Sequence, residues 1–178
     1  QNWRLPPWNP DELCESAYAP FIATLRANMR HNGALRIDHV MGLMRLFWLP
    51  EEGGAADGTY VQYPFDDLLG ILALESQRNK CLVVGEDLGT VPEVVRTRLA
   101  ALGVLSYRLL YFEKDEKGDF RLPAAYPAQA LVAVSTHDLP TLAGFWRGDD
   151  LAERVALNHF PSEDERHRQS IARTADRA

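Results

Sequence analysis

The segment CLVVGEDLG, residues Cys81–Gly89, decides the fold class of this chain. Its first four residues form a continuous apolar run, which is typical of a parallel strand buried on both faces. The run stops at Gly85, and two acidic residues, Glu86 and Asp87, follow it. Such a strand predicts an α/β fold in which functional groups gather at the carboxyl ends of the strands.

Segments on both sides of this strand alternate between helix and strand patterns. The hydrophobic periodicity predicts further strands at about 34–40, 104–112 and 131–138, and helices at about 20–31, 65–79 and 90–102. The stretch 41–64 is predicted as a long loop, because it contains the Gly-rich, acidic run 51–58. Thr90 and Glu93 match a helix capping box. The alternation predicts a parallel sheet with right-handed crossovers, either open and doubly wound or part of a barrel.

The composition is ordinary for a globular domain, with 46% hydrophobic and 25% charged residues. The formal net charge of −6 disfavours nucleic acid and anionic membranes as partners, because both favour basic patches. We expect no transmembrane helix, since no apolar run reaches about eighteen residues, and no signal peptide, since the start is polar and Pro-rich. Two distant cysteines, Cys14 and Cys81, favour a reducing, cytoplasmic location.

Three predicted strands end in carboxylates, at Asp38, Glu86 and Asp138. Because the carboxyl ends of parallel strands meet at one rim, we expect these side chains to lie together. A single Asp after a strand is more often a turn or cap residue. Two of these three Asp or Glu positions adjoin a His, however, which favours a functional site. Arg36 lies two residues before Asp38, hence on the same strand face, where a cation would stabilise the carboxylate.

Three motifs resemble the amylomaltases, which are the 4-alpha-glucanotransferases of glycoside hydrolase family 77. They are RIDHVMGLMRLFWLP from Arg36, GEDLGTVPEVV from Gly85 and STHDLPTL from Ser135, and they follow the order and the spacing of that family. The start, QNWRLPPWNP, resembles the family's substrate-covering loop but departs from it at Arg4, where a glycine is expected. The resemblance runs through essentially the whole chain and is strongest to the bacterial maltose-utilisation type.

This resemblance implies an α/β fold that is part of a (β/α)8 TIM barrel. About four βα units are expected, in one partial catalytic domain over residues 1–178. We expect the charged segment 161–178 to form a flexible tail. A complete barrel needs about 250 residues, so we expect a longer parent protein. The isolated chain should then be inactive or unstable, because an incomplete barrel exposes sheet edges.

The resemblance also implies residue roles. Asp38 matches the nucleophile, Glu86 the general acid/base, and Asp138 the third carboxylate, which holds sugar hydroxyls and stabilises the transition state. The residues implied in substrate binding are Arg36, His137, His39, Asp87 and Trp3. The implied reaction is a retaining transfer of alpha-1,4-glucan segments between maltooligosaccharides. Starch- or glycogen-derived glucans are implied as substrates, and no cofactor or metal ion is implied.

Three other functions stay open at this point. An alpha-amylase-like hydrolase would use the same carboxylates but release only short sugars. A non-catalytic glucan-binding or structural fragment would bind maltooligosaccharides without turnover. A metal-dependent barrel hydrolase would use His39 and His137 beside the carboxylates. Neighbouring residues of a strand point to opposite faces, which makes it difficult for Asp38 and His39 to share one metal ion.

Overall fold

The structure is a computed structural model that describes residues 5–177. The chain divides into two compact units, one that ends at Tyr107 and one that begins at Arg108. Within the described part of the chain, no helix combines the length and the apolar composition that crossing a membrane requires.

The first unit alternates helices with strands, as the sequence predicted. Its elements are α1 (Pro10–Glu15), α2 (Ala19–Met29), β1 (Ala34–Ile37), β2 (Arg45–Trp48), β3 (Thr59–Gln62), α3 (Phe65–Asn79), β4 (Leu82–Gly85), α4 (Glu93–Ala101) and β5 (Leu105–Leu109), the last of which continues into the second unit. The second unit contains β6 (Ala130–Ala133), α5 (Leu142–Arg147), α6 (Asp149–Ala156) and α7 (Glu163–Ala175).

The strand β4 lies between β1 and β5 and pairs with both in parallel. Its Val83 and Val84 are 3% and 4% exposed. Successive side chains of a strand point to opposite faces, so both faces of β4 are buried at these two residues, as the apolar run predicted, whereas Leu82 at the start of the strand is 48% exposed. These parallel pairings confirm the predicted parallel β/α arrangement within the first unit.

Two amphipathic helices cover this sheet within the first unit. The stripe predicted on α2, formed by Phe21, Leu25 and Met29, is buried throughout. The helix α3 has the bounds that the sequence predicted, and it buries its leucines at 68, 69 and 72. These side chains pack with Val83 of β4 in one hydrophobic core. This core packs α2 and α3 against the strands and so fixes the positions of the carboxyl ends of β1 and β4.

Two predictions of local structure in the first unit are wrong. The stretch 41–64 is not a loop throughout, because β2 and β3 pair as an antiparallel hairpin with Phe47 opposite Tyr60. The Gly-rich run 51–58 only connects the two strands. The capping box is also absent, since α4 begins at Glu93 behind Pro92 and no side chain caps it.

A buried carboxylate joins α2 to α3. The Glu75 side chain is 2% exposed, and Arg26 donates to both of its oxygens at 2.8 Å. Arg78 adds a third contact at 3.0 Å. The Arg26 hydrogen bonds are the main reason that the pKa of Glu75 lies below its ordinary value. Such an ion pair stabilises the folded state only while Glu75 is ionised.

The stability that this pair contributes should therefore depend on pH. A depressed folded-state pKa gives stability that is complete above the unfolded-state value of about 4.3 and is lost as the pH falls through the folded-state value. We expect Arg26→Met to lower the thermal midpoint at neutral pH and the difference from wild type to shrink towards about pH 3. Arg30→Met, at the residue that follows α2, is the matched control, because Arg30 has no ion pair among the described residues. A pH-independent difference would contradict this expectation.

The second unit is held by an ion pair between α6 and α7. The Arg173 guanidinium contacts both carboxylate oxygens of Asp150, at 2.7 and 2.9 Å, and lies 3.6 Å from the centre of the Phe145 ring. This contact keeps the pKa of Asp150 below its usual range. The predicted tail 161–178 thus contains a thirteen-residue helix, α7, that is tied to its own unit.

Candidate active site

The residues Asp38 and Glu86 lie side by side at the carboxyl ends of β1 and β4. The last paired residues of these strands are Ile37 and Gly85, so positions 38 and 86 leave the sheet together. The Glu86 N–H donates to the Ile37 carbonyl at 2.8 Å, and the Val40 N–H donates to the Glu86 carbonyl at 3.0 Å. Neighbouring strands lie about 4.8 Å apart, which sets the scale of the distance between the two positions.

The Glu86 carboxyl group accepts hydrogen bonds from the main chain of two segments. The His39 N–H donates to Oε2 at 2.9 Å, and the Leu88 N–H donates to Oε1 at 2.7 Å. His39 has a φ of 46°, a left-handed conformation that non-glycine residues seldom adopt. This conformation directs its N–H towards Glu86. The His39 position therefore connects the segment of Asp38 to the side chain of Glu86 through the backbone.

The Asp38 carboxylate is exposed and has one cationic neighbour in its own strand. Nη2 of Arg36 lies 2.7 Å from Oδ1 of Asp38, as the two-residue spacing predicted. The Arg36 guanidinium also lies 5.0 Å from the centre of the Tyr107 ring. The Asp38 side chain is 75% exposed, so a reacting group can approach it from solvent.

The neighbouring acid, Asp87, is placed differently from Glu86. Its side chain is 5% exposed, and its oxygens accept from the Tyr107 N–H at 3.0 Å and from the Ser106 hydroxyl at 3.0 and 3.1 Å. Arg96 faces it at 3.4 Å. These contacts favour a supporting role for Asp87 over direct contact with a substrate.

A cavity of about 250 Å³ adjoins Asp38 in the first unit. Its lining includes Trp8, Leu46 and Tyr63 together with Asp38 and His39. Burial raises the pKa of the Tyr63 hydroxyl, which donates to the Trp8 carbonyl at 2.7 Å. The cavity thus combines aromatic and aliphatic side chains with a carboxylate in its lining, an arrangement that suits a ligand with apolar faces and hydroxyl groups.

The remaining residues of the predicted site belong to the second unit or fall outside the described residues. Asp138 and His137 follow β6 on an exposed turn, with His137 Nε2 3.3 Å from Asp138 Oδ2. The Asp138 N–H donates to the Thr136 hydroxyl at 3.2 Å. That these residues join Asp38 and Glu86 stays a prediction. Trp3, the fifth predicted substrate contact, and Arg4 lie outside the described residues.

No metal-binding cluster occurs in residues 5–177, where a metal ion would need at least three grouped His, Cys, Asp or Glu side chains. The cysteines Cys14 and Cys81 are both free thiols, the first exposed and the second buried. Burial raises the pKa of the Cys81 thiol, which suits a packing role in the core.

Sequence reasoning missed three residues that support the acidic turn after β4. Arg96, Ser106 and Tyr107 all contact Asp87, although they follow it by nine to twenty positions. None of them stands in a recognisable motif with Asp87. Only the proximity of β5 and α4 to the end of β4 brings them together.

Comparison with known proteins decides the family. The sequence profile of glycoside hydrolase family 77, 4-alpha-glucanotransferase, matches residues 1–177. The chain belongs to the 4-alpha-glucanotransferase family. It is 54% identical over 151 residues to the 4-alpha-glucanotransferase of Haemophilus influenzae, a match that covers 85% of this chain and 22% of that protein. It is 45% identical over 185 residues to that of Mycobacterium bovis, covering 100% of this chain and 25% of that protein.

The structure of this chain resembles the crystal structure of amylomaltase from Corynebacterium glutamicum. The TM-score is 0.87 at 38% sequence identity, and the match covers 96% of this chain and 24% of that one. The likeness confirms the predicted fold class, part of a (β/α)8 barrel. The chain spans about a quarter of the length of these relatives.

One glycine of the family motif GEDLG, Gly85, is tightly packed against the segment that follows β1. A Cβ on Gly85 would lie 3.1 Å from both γ-carbons of Val40, which is fully buried. We expect Gly85→Ala to lower the free energy of unfolding by about 1–3 kcal/mol, because the packed segment after β1 must shift. Chemical denaturation monitored by circular dichroism measures this loss.

The matched control for this change is Gly70→Ala in α3. A Cβ there meets no atom within 4 Å, and the position is exposed on the helix. Alanine in a helix interior should stabilise the protein by about 0.5–1 kcal/mol relative to glycine. Equal effects of the two substitutions would contradict the crowding at Gly85.

Proposed function

We propose that the protein is a 4-alpha-glucanotransferase that moves alpha-1,4-glucan segments between maltooligosaccharides by a retaining double displacement. The observation that carries this proposal is the placement of Asp38 and Glu86 directly after the paired residues Ile37 and Gly85, in a chain of this family. A double displacement needs two carboxyl groups about 5–5.5 Å apart. The strand spacing of about 4.8 Å supports that separation.

In the first step, a carboxylate oxygen of Asp38 attacks the anomeric carbon of the donor glucan. The glycosidic bond breaks, and Glu86 gives its proton to the departing oxygen. The products of this step are a glucosyl ester on Asp38 and a shortened glucan. The exposure of Asp38 supports this role, because the nucleophile must reach a sugar ring from outside the sheet.

In the second step, the 4-hydroxyl group of another glucan replaces the departed sugar. Glu86, now ionised, takes the proton of that hydroxyl group. The 4-oxygen of the acceptor glucan then displaces the Asp38 carboxylate from the anomeric carbon. Two inversions give net retention. Water is the competing acceptor, so efficient transfer needs a site that favours sugar over water. The aromatic walls of the cavity beside Asp38 support such a preference.

The other residues of the proposed site have auxiliary roles. Asp138 would hold sugar hydroxyls and stabilise the transition state, and His137 would contact the donor sugar. Arg36 would orient the Asp38 side chain, as its 2.7 Å contact supports. His39 and Asp87 would act mainly as supports, and Trp3 as a contact in the covering loop.

The proposed partners are maltooligosaccharides and starch- or glycogen-derived glucans, and the proposed location is the cytoplasm. The free thiols of Cys14 and Cys81 support a reducing compartment. The net charge of −6 supports a neutral sugar substrate over nucleic acid or an anionic membrane.

Product analysis from maltotriose tests the proposal. The protein expressed from its complete reading frame should convert maltotriose into glucose and oligosaccharides longer than maltotriose. Formation of glucose and maltose alone would overturn transfer in favour of an alpha-amylase-like hydrolase. Binding of maltotriose without any conversion would overturn it in favour of a glucan-binding protein.

A further inference from the structure

The turn after β4 is held by a single side chain from α4. The Arg96 guanidinium donates to the Asp87 carbonyl at 2.9 Å, to the Val91 carbonyl at 3.0 Å and, more weakly, to the Gly89 carbonyl at 3.4 Å. Gly89 has a φ of 77°, a conformation that favours glycine, so the turn is sharp. The Arg96 guanidinium thus donates hydrogen bonds to three carbonyl groups of the turn.

The same turn is attached to β5 through the side chain of Asp87. The Tyr107 N–H and the Ser106 hydroxyl donate to its carboxylate, and Arg96 Nε lies 3.4 Å from Oδ2. The Asp87 charge is buried, and Arg96 is the cation that compensates it. Breaking a buried ion pair from one side leaves an uncompensated charge, which is strongly destabilising for the local structure.

The position of this turn determines one of the two donors to Glu86. Leu88, between the residues that Arg96 holds, supplies the N–H at 2.7 Å from Glu86 Oε1. The other donor is the His39 N–H on the opposite segment. A shift of the turn would therefore move Oε1 while the His39 contact still held Oε2, and the carboxyl group would rotate.

We propose that Arg96 is a positioning residue that orients the Glu86 carboxyl group through the turn 87–91. This inference rests on the proposed role of Glu86 as general acid/base. Arg96 does not touch the reacting atoms. It fixes Leu88, and Leu88 with His39 sets the direction from which Glu86 exchanges a proton with the glycosidic oxygen.

A comparison of two donors tests the inference in the protein expressed from its complete reading frame. Maltotriose needs a proton on its leaving oxygen. Alpha-maltosyl fluoride loses fluoride ion without a proton, and azide as acceptor needs no general base. We expect Arg96→Met to slow transfer from maltotriose by about 100-fold, since small misplacements of catalytic groups have effects of that size. The reaction of the fluoride with azide should stay within about threefold of wild type.

A conservative variant and a control separate positioning from loss of folding. Arg96→Lys keeps the charge but cannot donate to three carbonyl groups at once. We therefore expect it to lower the rate of transfer from maltotriose by about 10-fold and, like Arg96→Met, to leave the reaction of the fluoride with azide nearly unchanged. Arg98→Met removes an exposed arginine of α4 that pairs with Asp66, and both donors should react normally. Equal loss with both donors in the Arg96 variants, or no loss with maltotriose, would overturn the inference.

A parallel Glu86→Ala variant distinguishes failure of this inference from failure of the proposed function. If Glu86→Ala keeps full transfer from maltotriose, the role of Glu86 is wrong. The alternative outcome is that Glu86→Ala loses transfer from maltotriose and keeps the reaction of alpha-maltosyl fluoride with azide. If Arg96→Met then reacts normally with both donors, only the positioning role of Arg96 is wrong.

Discussion

Asp38→Asn should lower the rate of transfer from maltotriose by about 10⁴-fold or more, because removal of a catalytic nucleophile has effects of this order. The amide that replaces the carboxylate is nearly isosteric but carries no charge and forms no glycosyl ester. The side chain is 75% exposed, so the free energy of unfolding should change by no more than about 0.5 kcal/mol. Initial rates and denaturation of the same preparation measure both quantities.

The covalent intermediate provides an independent measurement for Asp38. Wild-type protein mixed with alpha-maltosyl fluoride should carry one maltosyl group in intact-protein mass spectra, and Asp38→Asn should carry none. Asp11→Asn is the matched control, since Asp11 is an exposed aspartate in the first turn of α1. An Asp38→Asn protein that kept more than about a tenth of wild-type activity would be incompatible with a nucleophilic role.

Glu86→Ala should lower transfer from maltotriose by about 10³-fold, within the range for loss of a general acid/base. The first step with alpha-maltosyl fluoride needs no proton, so fluoride release should persist in an initial burst. Azide should then restore turnover, because an anion attacks the glucosyl ester without deprotonation. Fluoride-electrode traces with and without azide measure the burst and the rescue.

Two comparisons separate proton transfer by Glu86 from its structural contacts. Glu86→Gln retains a carbonyl oxygen that can accept from either His39 or Leu88, yet it has no acidic proton to give. We expect it to lose maltotriose transfer almost as fully as Glu86→Ala. Glu93→Ala, an exposed glutamate at the start of α4, should react normally. An equal decrease in the reaction rates of Glu86→Gln with maltotriose and with alpha-maltosyl fluoride would contradict the acid/base role.

The elements that the sequence predicted well are those whose signal lies within a few residues. The apolar run of β4 predicted burial of both faces, which Val83 and Val84 confirm, while Leu82 at the start of the strand is exposed. The four-residue repeat of α2 and the bounds of α3 are also confirmed. These apolar runs and repeats depend only on which residues of the segment are buried, so a short stretch of sequence is enough to detect them.

The errors arose where a local pattern competed with distant partners. The flexible composition of 51–58 concealed the hairpin of β2 and β3, although its strands pair in register and place the Phe47 and Tyr60 rings edge to face, with their centres 5.1 Å apart. The helix α1 was not predicted, although the Asn9 side chain caps it by accepting from the Asp11 and Glu12 N–H groups. Strand pairing in particular needs knowledge of which segments meet.

The sequence by itself determined the family, the parallel β/α arrangement and the two acids that follow β1 and β4, because strand period and motif order are local properties. Only the tertiary structure decided how those acids are held. The bond from His39 to Glu86 joins residues 47 positions apart, and the contacts of Asp87 with Tyr107 and Arg96 join three elements. Hydrogen bonds depend on distance and direction to within fractions of an ångström, and the folded path of the chain sets both.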